Sequence, residues 1–367
     1  MIKVGSDFSG VGAFNQALNR LGIDYSEVYA CDMDKHARQT FIHNYGQPEY
    51  YPKDVYEREI PKESLDIYMT SPPCQTFSLA GNRKGKEDER GILFFNSLEF
   101  IKINKPRYFI FENVKGLLSD DNGKTFSEWV NMLGGKSVNG NPVLFPYEDS
   151  VPYHLYWKVL NAKNYGVPQN RERVFLIGVR EDEDNTFRFP KEVHLTKRLK
   201  DILESEVDEK YCLSEKTING FMQHKERHEE KGTGFKWQPK TENDTANTLR
   251  ANAALCPTDN TIDVIAHCTQ QRSKDRPALK KNKNAGGSGP LNKKDGTSYC
   301  IDSINAQAVE ITNQNTIRRL TPKECFRLMD FPDSFDFSVV SNSQAYKQAG
   351  NSIVVKCLEL IIKNLKL

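Results

Sequence analysis

The chain has 367 residues, of which 38% are hydrophobic and 27% are charged, and its net charge is +2. This length is enough to bury a core without disulfide or metal staples, and it predicts two domains, or one large and one small. The composition is that of an ordinary soluble globular protein. The near-neutral charge neither requires nor excludes a nucleic-acid partner, because phosphate binding depends on a local basic face.

Membrane and metal sites are not expected. No apolar run reaches the roughly 18 residues that a membrane-spanning helix needs, and the N-terminus lacks the apolar stretch of a secretory signal. The eight cysteines are scattered, and none of them has the C-x-x-C spacing of a zinc site or a redox dithiol. This pattern predicts reduced thiols in a cytoplasmic protein with no metal.

Short apolar runs alternate with amphipathic ones in the first half of the chain. The apolar runs predict strands at residues 2–4, 28–30, 65–69 and 108–111. After a glycine-rich turn, one helix face is predicted from Phe14, Ala17, Leu18 and Leu21. Continuous apolar strands separated by helices predict a doubly wound α/β fold, with a parallel sheet covered on both faces. Two further strands, at 154–162 and 173–179, are predicted to extend this sheet as a hairpin-like pair.

The second half of the chain changes character after about residue 190. Residues 191–240 are strongly polar, and residues 268–298 contain eight Lys and Arg against two Asp. The latter stretch predicts a mobile basic loop, which is either a solvated insertion or a surface that offsets phosphate charge. A final helix is predicted over residues 351–365, where Val354, Cys357, Leu358, Ile361 and Leu365 recur at helical spacing.

A glycine-rich turn, Phe8-Ser9-Gly10-Val11-Gly12, follows the first predicted strand, and Asp32 follows the second. Such a turn lets a ligand approach the backbone, and an acid about 20 residues later can accept from ribose hydroxyls. The glycines do not spell G-x-G-x-x-G, which weakens a dinucleotide interpretation. Asp54, directly before Val55, can accept from an adenine amino group, although a surface Asp after a loop fits it equally. The pattern is that of a nucleoside-cofactor site, although a glycine-rich turn that binds no ligand fits it equally.

The third predicted strand is followed by Ser71-Pro72-Pro73-Cys74-Gln75. The two prolines are stiff and fix the direction of the next residue. A cysteine at the carboxyl end of a parallel strand lies where such sheets bind ligands, and a thiol is strongly nucleophilic. A lone cysteine is more often a buried thiol, but the Pro-Pro-Cys-Gln context favours a nucleophile.

Two further polar groups lie beside strands. Glu112 follows the fourth predicted strand, where it can face the same cleft as Cys74; a surface carboxylate is the alternative. Arg171 and Arg173 are two residues apart in a segment predicted to be extended, so their side chains point to the same side of it. Without their context, these arginines fit a surface salt-bridge cluster.

Together these motifs resemble the C5-cytosine methyltransferase family, in particular the bacterial and phage modification methylases. The matching stretches run in order through FSGVGAF, the acids at 32 and 54, PPCQTFSLAG, ENVKG, QNRERVFLIGV, RRLTPKECFRLMDFPDSF and QAYKQAGNSIVV. The resemblance implies an S-adenosylmethionine-dependent enzyme that methylates cytosine in double-stranded DNA. Its fold would be a doubly wound Rossmann-like methyltransferase sheet with a smaller, mostly β target-recognition domain.

The resemblance also implies roles for the candidate catalytic residues. Cys74 would be the nucleophile that adds to cytosine C6. Glu112 would grip the ring at N3 and at the exocyclic amine, and Arg173 would contact O2 with Arg171 close by. Because a base inside a duplex is out of reach, the cytosine would be flipped out. The polar stretch 78–91 would suit a loop that closes over the DNA.

The cofactor residues are implied in the same way. Phe8 would stack on the adenine, Asp32 would hold the ribose, and Asp54 would read the adenine amino group. The implied site also includes Ser9, Gly10, Gly12, Met33, Val55, Pro73, Leu93, Asn351 and Ser352. Two positions depart from the family pattern: Asp7 stands where an apolar residue is usual, and Met33 where an aromatic one is common.

The resemblance divides the chain into three parts. Residues 1–189 with 342–367 would form the catalytic domain, 190–315 the target-recognition domain, and 316–341 a hinge segment. Thr248 and Leu249 are the expected DNA-recognition pair, with residues 300–309 as a competing candidate. A monomer is expected, with a cognate restriction endonuclease as a possible functional partner that forms no stable complex.

Three alternatives remain at this point. An RNA cytosine-5 methylase of the same fold is one, although the long recognition insert and the arginine pair favour DNA. A catalytically inactive DNA-binding regulator is another, and the presence of Cys74, Glu112 and Arg173 argues against it. A nicotinamide-dependent oxidoreductase has the wrong glycine spacing.

Overall fold

The computed structural model describes residues 1–73, 92–230, 237–250, 261–265, 268–269, 310–311 and 315–367. The predictions for Cys74, for the loop 78–91, for residues 300–309 and for most of the basic stretch 268–298 therefore lie outside the described residues.

The described ranges contain strands, α-helices and short 3-10 helices. The strands are β1 (Ile2–Asp7), β2 (Tyr25–Cys31), β3 (Ile67–Thr70), β4 (Tyr108–Val114), β5 (Ser137–Val138), β6 (Asn141–Pro142), β7 (Tyr153–Asn161), β8 (Glu172–Arg180), β9 (Lys240–Thr241), β10 (Thr261–Ile265), β11 (Cys268–Thr269), β12 (Glu310–Ile311) and β13 (Asn315–Arg319). The α-helices are α1 (Ala13–Arg20), α2 (Lys35–Tyr45), α3 (Ile92–Asn104), α4 (Lys124–Leu133), α5 (Glu215–Glu230), α6 (Pro322–Leu328), α7 (Asn342–Asn351) and α8 (Val355–Ile362). The 3-10 helices cover Lys115–Gly123, Ala162–Tyr165, Leu199–Asp201 and Glu209–Tyr211.

The main sheet has eight strands in the order β2-β1-β3-β4-β8-β7-β5-β6. The first four run parallel to one another, whereas β8 runs antiparallel to both β4 and β7. This topology confirms the predicted doubly wound sheet and its added antiparallel pair. The two inner parallel strands, β3 and the first part of β4, are nearly continuous apolar runs and are buried, as expected where both faces of a sheet are covered.

Aromatic residues fill much of the core beneath the sheet. Phe94 of α3 stacks on Trp129 of α4 at 4.1 Å, and both rings contact Phe111 of β4. Gly178 in β8 lies opposite Phe109 in β4, and a Cβ at residue 178 would stand 2.0 Å from the Phe109 ring. A strand glycine here gives the ring its space.

The chain forms two compact units. The first comprises Met1–Ile202, Asn243–Asp259 and Pro322–Leu367, and it contains the eight-stranded sheet. The second comprises Leu203–Glu242 and Asn260–Thr321. It holds the three-stranded sheet β13-β10-β9 and the exposed helix α5. Within it, the indole of Trp237 is buried and donates to the Thr261 hydroxyl at 3.2 Å.

The predicted C-terminal helix was wrong at its start. Residue 351 ends α7, and the last helix begins only at Val355. Ser352 between them is extended, with φ −70° and ψ 159°, and the carbonyls of Gly350 and Ser352 both accept from the Arg171 guanidinium. Apolar spacing alone does not report this break. Across the described part of the chain, every helix is too short or too polar to cross a bilayer.

Candidate active site

The carboxyl ends of the four parallel strands bring the predicted site residues to one edge of the sheet. Asp7 in β1 is in register with Cys31 of β2 and with Thr70 of β3, and Thr70 pairs with Phe111 of β4. The residues one step further along these strands are Phe8, Asp32, Ser71 and Glu112. All four therefore lie at the edge where open α/β sheets bind ligands.

The glycine-rich turn leaves β1 in an unusual conformation. Phe8, Gly10 and Gly12 all have positive φ, at 56°, 55° and 85°. The Ser9 backbone N–H donates to the Cys31 carbonyl at 3.0 Å, and the Ser9 and Tyr51 hydroxyls are 2.9 Å apart. These bonds fix a conformation that a non-glycine residue such as Phe8 rarely adopts.

The two glycines of this turn do different things. A Cβ on Gly12 would stand 2.3 Å from the Tyr45 ring, so Gly12 permits close packing against α2. Among the residues that the structure describes, a Cβ on Gly10 would meet only the Phe8 carbonyl, 4.0 Å away. Gly10 therefore faces open space, and a ligand can approach its backbone.

Asp32 is tied into this turn through both carboxylate oxygens. Oδ2 accepts from the Gly10 N–H and Oδ1 from the Asp34 N–H, each at 2.8 Å. Burial raises the pKa of the Asp32 carboxyl, while the Asp34 and Gly10 N–H groups oppose that rise. Each oxygen retains a lone pair for a ligand hydroxyl. Met33, the next residue, is 82% exposed.

Apolar residues predicted for the adenine pocket share one cluster. Val55 is buried in it, and the half-buried side chains of Phe8 and Leu93 pack against it. Asp54, just before Val55, is half-buried, and its Oδ1 accepts from the Tyr56 N–H at 2.9 Å. Within the described ranges its other carboxylate oxygen accepts no hydrogen bond and is left for a donor.

Glu112 is held from two sides. Its Oε2 accepts from the Ser71 hydroxyl at 2.6 Å, and its Oε1 lies 3.1 Å from Nε of Arg173. Glu112 is only 5% exposed, and β4 and β8 place Arg173 directly opposite Val114. The sheet register therefore sets the carboxylate and the guanidinium beside each other.

The Pro-Pro segment is described up to its second proline. Pro72 is buried and its carbonyl accepts from the Asn113 amide at 3.3 Å, whereas Pro73 is exposed. This bond ties the segment to the residue that follows Glu112. Cys74 lies outside the described residues.

Arg171 is almost fully buried, at 3% exposed, and in the described ranges its guanidinium donates only to backbone carbonyls. Its guanidinium donates to the Leu249 carbonyl at 2.8 Å and to the carbonyls of Gly350 and Ser352 at 3.0 and 2.8 Å. Burial, followed by the like charge of Arg173, lowers the pKa of this guanidinium. Arg171 thus joins three segments of the first compact unit.

The remaining predicted residues lie next to the backbone carbonyls that Arg171 binds. Ser352 is buried at the end of α7, and Asn351 beside it is exposed. Leu249 is buried, and its N–H donates to the Gln169 side chain at 3.3 Å. The Thr248 hydroxyl donates to the Asn170 carbonyl at 2.6 Å. The Thr-Leu pair is thereby attached to the segment that carries Arg171 and belongs to the first compact unit.

Sequence reasoning missed a buried ion pair behind the turn. Asp7, whose role the sequence left unexplained, lies 3.1 Å from Arg58, and Tyr29 and Tyr68 donate their hydroxyls to it. The acid at an otherwise apolar strand position was the only signal. Its partner Arg58 lies in a polar stretch with no recognisable pattern.

Comparison with known proteins places the chain in a family. The profile of the C-5 cytosine-specific DNA methylase family matches residues 2–367. The orphan methyltransferase M.SPRI of Bacillus phage SPR is 31% identical over 99% of this chain and 97% of its own length. The type II methyltransferase M.HpaII of Haemophilus parainfluenzae is 32% identical over 96% of this chain and 86% of its own.

The solved structures agree at the level of fold. A DNMT2 of Spodoptera frugiperda superposes with a TM-score of 0.67 at 20% identity, covering 99% of each chain. The Dnmt2 methyltransferase of S. pombe gives 0.64 at 17% identity, covering 99% of this chain and 97% of its own. The chain therefore belongs to the C-5 cytosine-specific DNA methylase family and is a DNA (cytosine-5)-methyltransferase.

Proposed function

We propose that this enzyme transfers a methyl group from S-adenosylmethionine to C5 of a flipped cytosine in a specific double-stranded DNA site, through a covalent adduct between Cys74 and C6. The observation that carries the proposal is the setting of Glu112. Ser71 and Arg173 hold its carboxylate at the sheet edge shared with the glycine-rich turn. A fixed acid at this edge can act on a base ring next to a bound nucleoside.

The turn and its surroundings suit S-adenosylmethionine. Gly10 leaves space for the ligand, the fixed Asp32 carboxylate suits ribose hydroxyls, and Asp54 suits an amino group. The apolar cluster around Phe8 suits a purine face. Pro73, Asn351 and Ser352 remain predicted contributors to this site. When bound, S-adenosylmethionine supplies the methyl group as a sulfonium.

The protein's own groups then account for the activation of C5. The Cys74 thiolate adds to C6, and the Glu112 carboxyl donates a proton or a hydrogen bond to N3, so electron density moves to C5. Arg173, already bonded to Glu112, is placed to hold O2. Once C5 carries the methyl group, a base removes the C5 proton, the C6–sulfur bond breaks to release the Cys74 thiolate, and N3 returns its proton to Glu112. The bond formed to C6 is thus broken again, and no net redox change occurs.

The DNA-reading part of the proposal rests on the second half of the chain. We assign target recognition to residues 190–315 and a hinge to 316–341, with 1–189 and 342–367 as the catalytic part. The basic stretch 268–298 would offset phosphate charge. Thr248 and Leu249 stay predicted contacts. Because the Leu249 side chain is buried, a direct contact there falls to Thr248 or to backbone. A monomer that acts independently of any cognate endonuclease fits this scheme.

A mechanism-based trap tests the proposal. Duplex DNA containing a 5-fluorocytosine in the target site should form a denaturation-resistant adduct with the wild type in the presence of S-adenosylmethionine, since fluorine blocks the loss of the C5 substituent. The Cys74→Ser variant should form none while binding S-adenosylhomocysteine normally.

Cys212→Ser is the matched control, because Cys212 is a half-buried cysteine of the second unit and lies outside the proposed catalytic part; it should trap like the wild type. The target sequence is obtained first by mapping 5-methylcytosine in a methylation-free host that expresses the enzyme. An adduct that survives Cys74→Ser would overturn the assigned nucleophile. Trapping on tRNA in place of DNA would overturn the assigned substrate.

A further inference from the structure

A buried ion pair lies directly behind the glycine-rich turn. The carboxylate of Asp7 is fully buried, the Arg58 side chain is 2% exposed, and their charged atoms are 3.1 Å apart. The hydroxyl of Tyr29 donates to Oδ1 of Asp7, and that of Tyr68 donates to Oδ2 at 2.5 Å. An acid so enclosed is tolerated only because each oxygen has a donor.

Arg58 does more than neutralise this acid. Its guanidinium also donates to the Val55 carbonyl, and to the Asn96 carbonyl at 2.8 Å. The first carbonyl belongs to the turn that carries Asp54. The second belongs to α3, one turn after Leu93. A single cation therefore bridges β1, the turn after residue 53, and α3.

Aromatic rings restrict where this cation can sit. The ring of Tyr68 stacks on Phe100 of α3 at 4.0 Å and 9°, and the Arg58 guanidinium lies 5.5 Å from the same Phe100 ring. Tyr29 also contacts Phe100, at 5.2 Å. The planar guanidinium thus has a fixed set of partners, which a flexible ammonium would not reproduce.

We infer that Asp7 and Arg58 are positioning residues for the cofactor: the pair fixes the two backbone segments that present Asp54, Val55 and Leu93 to the adenine of S-adenosylmethionine. This inference rests on the proposed cofactor site. The pairing with Arg58 then explains why an acid, Asp7, stands at a position where the family usually has an apolar residue. Neither side chain touches the ligand; both act through the backbone that Arg58 holds.

The test separates positioning from stability. In the double variant Asp7→Leu/Arg58→Met both buried charges are removed together. Removing both charges together avoids an uncompensated buried ion, but the Tyr29 and Tyr68 hydroxyls and the Val55 and Asn96 carbonyls lose these partners. The double variant should therefore unfold at a lower temperature than the wild type, and its binding is measured well below that temperature, where it is folded. Its affinity for S-adenosylhomocysteine, measured by calorimetry, should fall about tenfold, the loss expected for one misplaced hydrogen bond.

Arg58→Lys is a second variant. It keeps the positive charge but loses the planar guanidinium with its several N–H donors, so the same loss of affinity for S-adenosylhomocysteine is expected. Hydrogen exchange should accelerate at the backbone amides of residues 55–58 in both variants. The control is Arg107→Lys, because Arg107 makes a comparable network with Asp66 and Glu183 at 2.9 and 2.7 Å, near the start of β4. That variant should bind S-adenosylhomocysteine like the wild type.

The two possible failures are distinguishable. If the wild type binds no S-adenosylhomocysteine, the proposed cofactor is wrong. If the wild type binds it and the folded double variant binds it equally well, the cofactor proposal stands and the positioning role is excluded.

Discussion

At the scale of single residues, the proposed chemistry depends on one carboxyl group whose surroundings are polar on both sides. Glu112 has Ser71 on one oxygen and Arg173 on the other, so its orientation is set before any base arrives. Preorganisation of this kind lets a side chain act without reorienting during the reaction. In the proposed mechanism the Glu112 carboxyl must also be able to donate a proton. The amide of a glutamine has the same shape but cannot do so.

Glu112→Gln is therefore expected to lower the single-turnover rate of methyl transfer about 100-fold or more, since general acid catalysis is lost. Binding of S-adenosylhomocysteine should change little, because the bonds around the glycine-rich turn are untouched. The control is Glu172→Gln. Glu172 is a more exposed acid, paired with Lys115 at 3.0 Å, and its variant should keep the wild-type rate. A Glu112→Gln enzyme within threefold of the wild type would remove the acid from the mechanism.

The residues that sequence motifs could predict are those whose position follows from strand order. Phe8 and Asp32 come directly after parallel strands, Glu112 lies near the carboxyl end of β4, and the register brings all three to one edge. Ser71 and Arg58 could not be predicted in the same way. Their roles depend on which side chain lies across a neighbouring strand or behind a turn, and no local pattern encodes that contact.

At the scale of elements, the strand-to-helix turn offers a matched pair of glycines. Gly10→Ala and Gly12→Ala both place a side chain at positive φ, which costs about 1–2 kcal/mol of folding free energy. At Gly12 the new Cβ would also collide with the Tyr45 ring at 2.3 Å, whereas at Gly10 it meets nothing closer than 4.0 Å.

Gly12→Ala is thus expected to lose about 3 kcal/mol or more in urea unfolding, from strain and overpacking combined. Gly10→Ala should lose about 1 kcal/mol but bind S-adenosylhomocysteine about tenfold more weakly, because its methyl group projects where the ligand approaches. Equal stability losses for the two variants, with unchanged binding by Gly10→Ala, would contradict a packing role for Gly12 and a ligand-approach role for Gly10.

The break between α7 and α8 shows what periodicity misses. The sequence predicts one helix over residues 351–365, yet the backbone at Ser352 is extended and separates α7 from α8. The cause is distant in the chain: Arg171 takes the carbonyls on both sides of Asn351. A helix boundary set by a buried cation nearly 180 residues away cannot be read from local spacing.

Arg171→Ala should therefore destabilise the protein by about 3 kcal/mol or more, since three buried carbonyls lose their donor at about 1–3 kcal/mol each. Chemical denaturation measures this loss. Arg188→Ala is the comparison, because Arg188 is exposed and its described bond is to the carbonyl of its neighbour Phe187; it should change stability by less than about 0.5 kcal/mol. Similar values for the two variants would deny Arg171 its structural role.

At the scale of the whole molecule, the alternation of apolar and amphipathic segments was sufficient to predict the doubly wound sheet. The division of the second half was harder to predict. Residues 243–259 lie between segments of the second compact unit but belong to the first. The reason is a set of backbone hydrogen bonds, such as those joining Ala246 to Pro168 and Asn170 at 2.8 Å. No change in amino-acid composition along the chain indicates these bonds.

Global stability should depend on pH through an acid that the catalytic scheme does not use. Glu27 of β2 accepts from the Asn15 amide at 2.6 Å and from the Ser6 hydroxyl at 3.5 Å. Burial raises its pKa from 4.5 to about 8, and these two donors only partly oppose the rise. The folded state therefore holds a proton that the unfolded chain releases above pH 4.5. Glu27 thus contributes most stability below that pH, and the contribution declines until about pH 8.

The measurement is the free energy of unfolding in urea at several pH values from 5 to 8, for the wild type and for Glu27→Gln. The glutamine keeps the shape but cannot titrate, so the wild type should lose stability relative to it as pH rises, by at most about 1.4 kcal/mol per pH unit. Glu49→Gln is the control for exchanging a carboxyl for an amide next to β2, because Glu49 is exposed and accepts from Ser26 of that strand at 2.8 Å; the pH dependence of the Glu27→Gln difference is compared with that of this variant. A Glu27→Gln difference that is flat with pH would mean that the carboxylate is ionised in the folded protein and that its charge is met by groups other than Asn15 and Ser6.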